Sequence, residues 1–96
     1  MVVGVCSFEL FMPYNQSLKE KRHSLGKLKD RVLSQLKVVV NETGNQDLWQ
    51  RASMGFAVVG GDEATLDSLI TRTMNAIQAM HLGEITREER DMIHYE

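Results

Sequence analysis

A single cysteine, Cys6, is all the thiol chemistry this chain possesses. An intramolecular disulfide is therefore excluded, and one thiolate cannot build a cysteine-rich metal cage. Cys6 alternates with core positions and reads as a small buried hydrophobe. The three histidines, His23, His81 and His94, have no spacing that brings two onto one ion, so no metal and no cofactor is expected. One proline and seven glycines in 96 residues are too few for a long flexible linker. No apolar run approaches the ~20 residues a membrane-spanning helix needs. The first apolar stretch lacks a basic n-region and is broken at Ser7 and Glu9, unlike a secretory signal. A cytoplasmic protein with no membrane partner is the expectation. Repeats and low-complexity segments are missing too, as is any nucleophile–base pair or dicarboxylate in a context of its own, so the chain reads as not an enzyme.

What is present is an ordinary globular composition, 43% hydrophobic and 25% charged, enough for one domain over residues 1–96 with one core. The formal net charge of −2 hides an asymmetry. Between Gln16 and Lys37 stand seven basic residues (Lys19, Lys21, Arg22, Lys27, Lys29, Arg31, Lys37) against only Glu20 and Asp30. The rest of the chain is correspondingly acidic, which is a statement about surface potential and partners.

Val2 to Met12 reads as a strand, with Cys6, Phe8, Leu10 and Met12 on the core side of an alternating pattern. Pro13, Tyr14 and Asn15 end it. Ser17 followed by Glu20 is a capping box, and from Leu18 to about Leu36 a helix carries Leu18, Leu25, Leu28, Val32, Leu33 and Leu36 in one stripe. The β-branched run Val38-Val39-Val40 predicts a second strand reaching Glu42. Gly44-Asn45 marks a turn, and Arg51 to Val59 a third strand with Ala52, Met54, Phe56 and Val58 inward. Gly60-Gly61 breaks it. Asp62 would cap a second helix bearing Leu66, Leu69, Ile70, Met74, Ile77 and Met80, stopped by Gly83 as a C′ glycine. Glu84 to Tyr95 reads as a charged edge strand. The order βαββαβ predicts an α+β, ferredoxin-like domain: a four-stranded antiparallel sheet, first and third strands central, with two helices on one face.

On a helical projection from Leu18, Lys21, Arg22 and Lys29 flank or interrupt the apolar stripe. Lys19, His23, Lys27 and Arg31 fall on the opposite side, free to meet an external anion. The inner cations must snorkel or find carboxylates, with Glu42 and Asp47 the candidates for Lys21 and Arg22. A solvated helix face plus a structural ion pair is the alternative. Cations in the first turns also oppose the positive end of the helix dipole, which Glu20 and Ser17 offset only in part.

The second notable run is Asp47-Leu48-Trp49-Gln50-Arg51, with the only tryptophan. Trp49 is expected as a lid over one end of the core. An exposed Trp49 would instead stack on a base or a partner's side chain, with Arg51 adding charge. Gly60-Gly61 precedes a helix N-terminus, but Asp62 and Glu63 there would repel a phosphate. Met54-Gly55-Phe56-Ala57 matches an RNA-recognition-motif signature only faintly, and Phe56 is patterned as core.

On these segments the chain resembles the YlxP family, small bacterial proteins catalogued as a domain of unknown function. The resemblance rests on the opening Val-Gly-Val strand, Ser17-Leu18-Lys19-Glu20-Lys21-Arg22, Glu42, Asp47-Leu48-Trp49-Gln50-Arg51-Ala52 and Gly55-x-Ala57-x-Val59. It covers nearly everything up to Val59, and beyond that only the helix–strand pattern. It implies a ferredoxin-like fold and, because members are often encoded among translation and ribosome-maturation genes, a connection to RNA or the ribosome. The chain departs from the family at Gly44-Asn45, where acidic and histidine-like residues are expected, and at Lys29, usually an apolar position.

The resulting expectation is a non-catalytic protein associated with RNA or the ribosome. Lys19, Lys21, Arg22, His23, Lys27, Arg31 and Arg51 would be its nucleic-acid contacts, and Ser17, Glu20, Glu42, Asp47 and Trp49 architectural parts of its motifs. An overall acidic charge counts against it. The alternative is a homo-oligomeric interaction or ligand-sensing module, using an apolar open sheet face of Val3, Val5, Phe11, Ser53, Gly55 and Ala57.

Overall fold

Every second residue of the first strand is withdrawn from solvent: Val2, Gly4, Cys6, Phe8 and Leu10 lie beneath the helices. In the computed structural model, which describes all 96 residues, this strand is β1 (Val2–Phe11). It is followed by α1 (Leu18–Leu36), β2 (Asn41–Gly44), β3 (Arg51–Gly60), α2 (Glu63–Ala79) and β4 (Glu84–His94). The sheet order is β2-β3-β1-β4 and every neighbouring pair is antiparallel. The register Cys6↔Phe56, Phe8↔Met54 and Leu10↔Ala52 sets the buried residues of the two central strands directly opposite each other. Phe8 and Phe56 meet edge to face at 6.4 Å, an arrangement their ring quadrupoles favour. Leu25, Leu28 and Val32 of α1 and Ile70, Met74 and Ile77 of α2 close the core from above. Both helices thus lie on one face.

The helix ends follow local chemistry. Ser17 Oγ accepts the Glu20 N–H at 3.1 Å, and Glu20 Oε2 accepts the Gln16 N–H at 2.7 Å, so the Glu reaches one residue further back than in the usual box. Lys37, in left-handed conformation at φ 58°, ends α1 by donating its N–H to Leu33 O. Asp62 caps α2 through Thr65 N–H and Oγ, and those bonds hold its carboxyl below the ordinary value.

Three local expectations are corrected. Val38–Val40 is not a strand: β2 begins at Asn41, whose partner Gly55 is the last β3 residue to have one on that side. Val38 and Val40 are core plugs in an extended connector with Val39 outward, because burial on alternate sides needs no ladder of hydrogen bonds. Leu33 lies at the margin of its stripe, 47% exposed. Gly83 does not terminate α2, since His81 adopts the left-handed φ of 54° instead. Its lack of a side chain serves close approach, for a Cβ there would sit 2.4 Å from Phe11 O.

Candidate functional site

The outer face of α1 carries Lys19, Arg22, His23, Lys27 and Arg31, all exposed, with Lys29 partly covered at its margin. Residues 19, 23, 27 and 31 repeat every fourth position, forming a stripe about 18 Å long at 1.5 Å per residue. The protein's ion pairs are Lys21–Glu42, Arg87–Glu89, Arg90–Asp67, Arg90–Glu88 and His94–Glu63, so none of these outer cations has a carboxylate within 4 Å. Arg22 pairs with neither Glu42 nor Asp47. Glu20, the nearest acid in the first turn, is occupied by Gln16 N–H.

Lys21 departs from this group, and its place among the expected nucleic-acid contacts is corrected. It is 1% exposed and shares the inward stripe with Leu25, Leu28 and Val32. Its Nζ donates to Asn45 O at 2.7 Å and lies 2.8 Å from Glu42 Oε2. No donor is aligned on that carboxylate oxygen, so the Glu42 contact is charge against charge. Lys21 fastens the start of α1 to the end of β2 and the turn after it. Asn45, at φ 58°, holds that turn further by donating to Ser53 Oγ, which in turn reaches Glu9 Oε1.

The Asp47–Arg51 segment closes the same end of the molecule. Met12 N–H donates to Gln50 O at 2.7 Å, while Gln50 Nε2 donates to Pro13 O and Asn15 O, each at 3.2 Å. Asn15, only 8% exposed, returns a bond from Nδ2 to Trp49 O at 3.1 Å. The loop before α1 and the loop before β3 are therefore clasped by two amides. Sequence reasoning missed both, and the available signal was a turn-forming Asn following Pro13 with no helix to cap. Trp49 is no lid: it lies outside the core and half of it is exposed, as is nearly all of Tyr14. Asp47 is exposed and makes no ion pair. Arg51 lies 5.2 Å from the Phe11 ring centre, a cation–π contact that leaves its charge at the surface.

On the opposite flank, Arg90 Nη1 donates to Asp67 Oδ1 and Thr71 Oγ1, both at 2.9 Å, and Arg90 Nη2 lies 2.5 Å from Glu88 Oε2. This clamp pins β4 to α2 beside a polar groove of about 680 Å³ lined in part by Asn75, Gln78, Thr86 and Glu88. Cys6 lies under it, 2% exposed. Burial first, and then the Glu88 charge, push its thiol up to about 11 against the opposing pull of Arg90. Cys6 is thus a neutral thiol at physiological pH, without the thiolate a nucleophile needs. No group of three His, Cys, Asp or Glu side chains comes together as a metal site would require.

The strand order and the helices on one face define a ferredoxin-like α+β domain. A solved structure described as "Structural Genomics, protein YJCS" shares the fold at a TM-score of 0.57 and 10% identity, covering 96% of this chain and 99% of that one. A dimeric ferredoxin-like protein from an uncultured marine organism is similar at a TM-score of 0.47 and 13% identity, over 100% and 91% of the two chains. Residues 3–90 match the family described as Protein of unknown function (DUF503). "Uncharacterized protein YlxP" of Bacillus subtilis (strain 168) is 33% identical over 90 residues, 92% of this chain and 98% of that protein. The chain belongs to the DUF503 family.

Proposed function

We propose that this protein is a non-catalytic cytoplasmic RNA-binding protein, associated with ribosomal or other RNA, that engages phosphates with the outer face of α1. The observation that carries the reading is the stripe Lys19, His23, Lys27, Arg31, with Arg22 beside it, none held in an ion pair within 4 Å. On a chain whose net charge is −2, the surrounding acidic surface confines an anionic polymer to that one face. Exposed Trp49 and Tyr14 lie in the loops at the amino-terminal end of α1 and offer flat faces for unpaired bases. Such contacts give affinity and position with little sequence choice.

The test is fluorescence anisotropy with a labelled single-stranded RNA across a salt series. Four phosphate contacts predict a slope of log affinity against log salt of about −3. Lys19→Glu/Lys27→Glu should lose most binding while keeping its circular dichroism. Salt-insensitive binding, or an unaffected double variant, removes the proposal.

A second reading, association through the open sheet face, is supported by Val59 and Ile93, 62% and 48% exposed, which the register aligns with Val3. Val5, Ala57 and Phe11 extend the apolar character along the face, less exposed or smaller than that pair. Glu9, Arg87, Glu89 and Asp91 lie among them on the same face, charges beyond the residues the sequence pattern indicated.

A further inference from the structure

The β4 edge carries a charge pattern that is complementary to itself when reversed. Read from 87 to 91 it is Arg87, Glu88, Glu89, Arg90, Asp91. Turned end for end about Glu89, Arg87 falls opposite Asp91, and Glu88 opposite Arg90. We propose that this segment pairs antiparallel with the same segment of a second copy of this chain, joining two four-stranded sheets into one. The inference is independent of RNA binding by α1.

Backbone geometry permits this register. Met1 and Tyr95 exchange both hydrogen bonds, N–H to O at 3.0 Å and 2.8 Å. In an antiparallel ladder such pairs alternate. The unbroken register from Val2↔His94 to Glu9↔Arg87 then turns the N–H and C=O of Ile93, Asp91, Glu89 and Arg87 toward β1. The groups of Glu88, Arg90 and Met92 point away from the sheet. The Met92 N–H is already satisfied by Asp91 Oδ1 at 2.9 Å, which leaves Glu88 and Arg90 as the open positions. Centring the pairing on Glu89 sets each open residue opposite the other's copy, so their backbone groups can be exchanged.

Charge then selects among the registers the backbone allows. Centring on Glu88 opposes Glu88 with itself and matches only Arg87 with Glu89. Centring on Arg90 opposes two arginines and twice sets Glu89 against Asp91. Centring on Glu89 gives four opposite-charge pairs around the two-fold axis, and the one like pair, Glu89 with itself, is flanked by Arg87, which each chain already pairs with its own Glu89. A protective edge is usually charged to repel any added strand; here the signs alternate so that an inverted copy is attracted. The bulge beside Arg87, where the register jumps from Glu9↔Arg87 to Leu10↔Ile85, ends the paired segment on one side. The groove between α2 and β4 leaves the helix-side flank of the edge open.

Sedimentation equilibrium at low ionic strength tests the proposal, with circular dichroism to verify folding. Wild type should form a dimer that weakens as salt rises. Arg87→Asp and Asp91→Arg each convert two opposite pairs into like pairs, and each should weaken association about tenfold or more. Combining them in one chain restores both pairs with signs exchanged, and should restore the dimer. Both residues are exposed, so the variants should fold. Amide exchange supplies a second readout, since the Glu88 and Arg90 N–H groups should gain protection as concentration rises. A strictly monomeric wild type, indifference to the single reversals, or a double reversal that stays monomeric would each overturn it. So would loss of the dimer in Val59→Lys with Arg87→Asp unaffected, which would place association on the open face instead.

Discussion

Replacing Lys21 with methionine removes a cation that is 1% exposed and leaves two groups behind. Glu42, 17% exposed, keeps a carboxylate with no opposing charge, and Asn45 O loses a bond of 2.7 Å. Truncating one partner of a buried pair costs about 3–5 kcal/mol, and the residual solvent contact of Glu42 argues for the lower end, about 3 kcal/mol. A domain of this size is stable by only about 5–15 kcal/mol, so the midpoint of thermal unfolding should drop by about 12–24 °C. Urea denaturation followed by circular dichroism measures the loss directly. Lys21→Met/Glu42→Leu removes both charges and should recover most of it, because an apolar pair avoids the desolvation that the ion pair incurs. A Lys21→Met protein within about 1 kcal/mol of wild type, or a double variant no better than the single, would refute the account of Lys21 as a buried fastening.

Two glycines of opposite character make a paired prediction in the same denaturation series. Gly83→Ala drives a Cβ against Phe11 O and should cost about 1–3 kcal/mol, whereas Gly26→Ala meets nothing within 4 Å along α1 and should gain about 0.5–1 kcal/mol. Asp62 gives an acid-limb prediction. Its folded carboxyl titrates below the unfolded one because Thr65 donates to it, so its contribution is present above about pH 3.9 and is lost as pH falls through the depressed folded value. Asp62→Asn keeps an acceptor for the cap and should flatten that part of the thermal-stability profile in acid.

The elements legible in the sequence were those whose burial has a period. The alternation of Cys6, Phe8 and Leu10 and of Ala52, Met54 and Phe56, with the two helical stripes, gave the order and hence the topology. Val38–Val40 misled because β-branched alternation reports burial in extended chain, and only pairing with a neighbour makes that a strand. Gly83 misled because steric need and conformational need leave the same letter in the sequence. The polar clasp of Asn15 and Gln50 was invisible, since its acceptors are backbone carbonyls that carry no side-chain signature. The charges that β4 adds to the open sheet face were not legible for a related reason: which alternate set of Arg87–Ile93 faces outward depends on the strand's register against β1, which composition does not mark.

The helical projection placed Lys21 on the inner side of α1 and named Glu42, 21 residues away on another element, among its candidate carboxylates; the structure makes that pair. That pairing bears on the whole basic face. A helix resting on apolar side chains alone can roll by some degrees at small cost, because dispersion contacts are weak individually and have no direction. A buried ammonium held between Glu42 Oε2 and Asn45 O has both direction and a high penalty for moving. It fixes the roll of α1 at its amino-terminal end, and with it the outward aim of Lys19, His23, Lys27 and Arg31. The segment Ser17–Arg22 therefore divides its labour by angle: Ser17, Glu20 and Lys21 bind the helix to itself and to the sheet, while Lys19 and Arg22 remain at the surface. In the RNA binding proposed above, a substitution in the first set should act through lost stability and a loosened aim of the helix, and one in the second through lost charge at the surface.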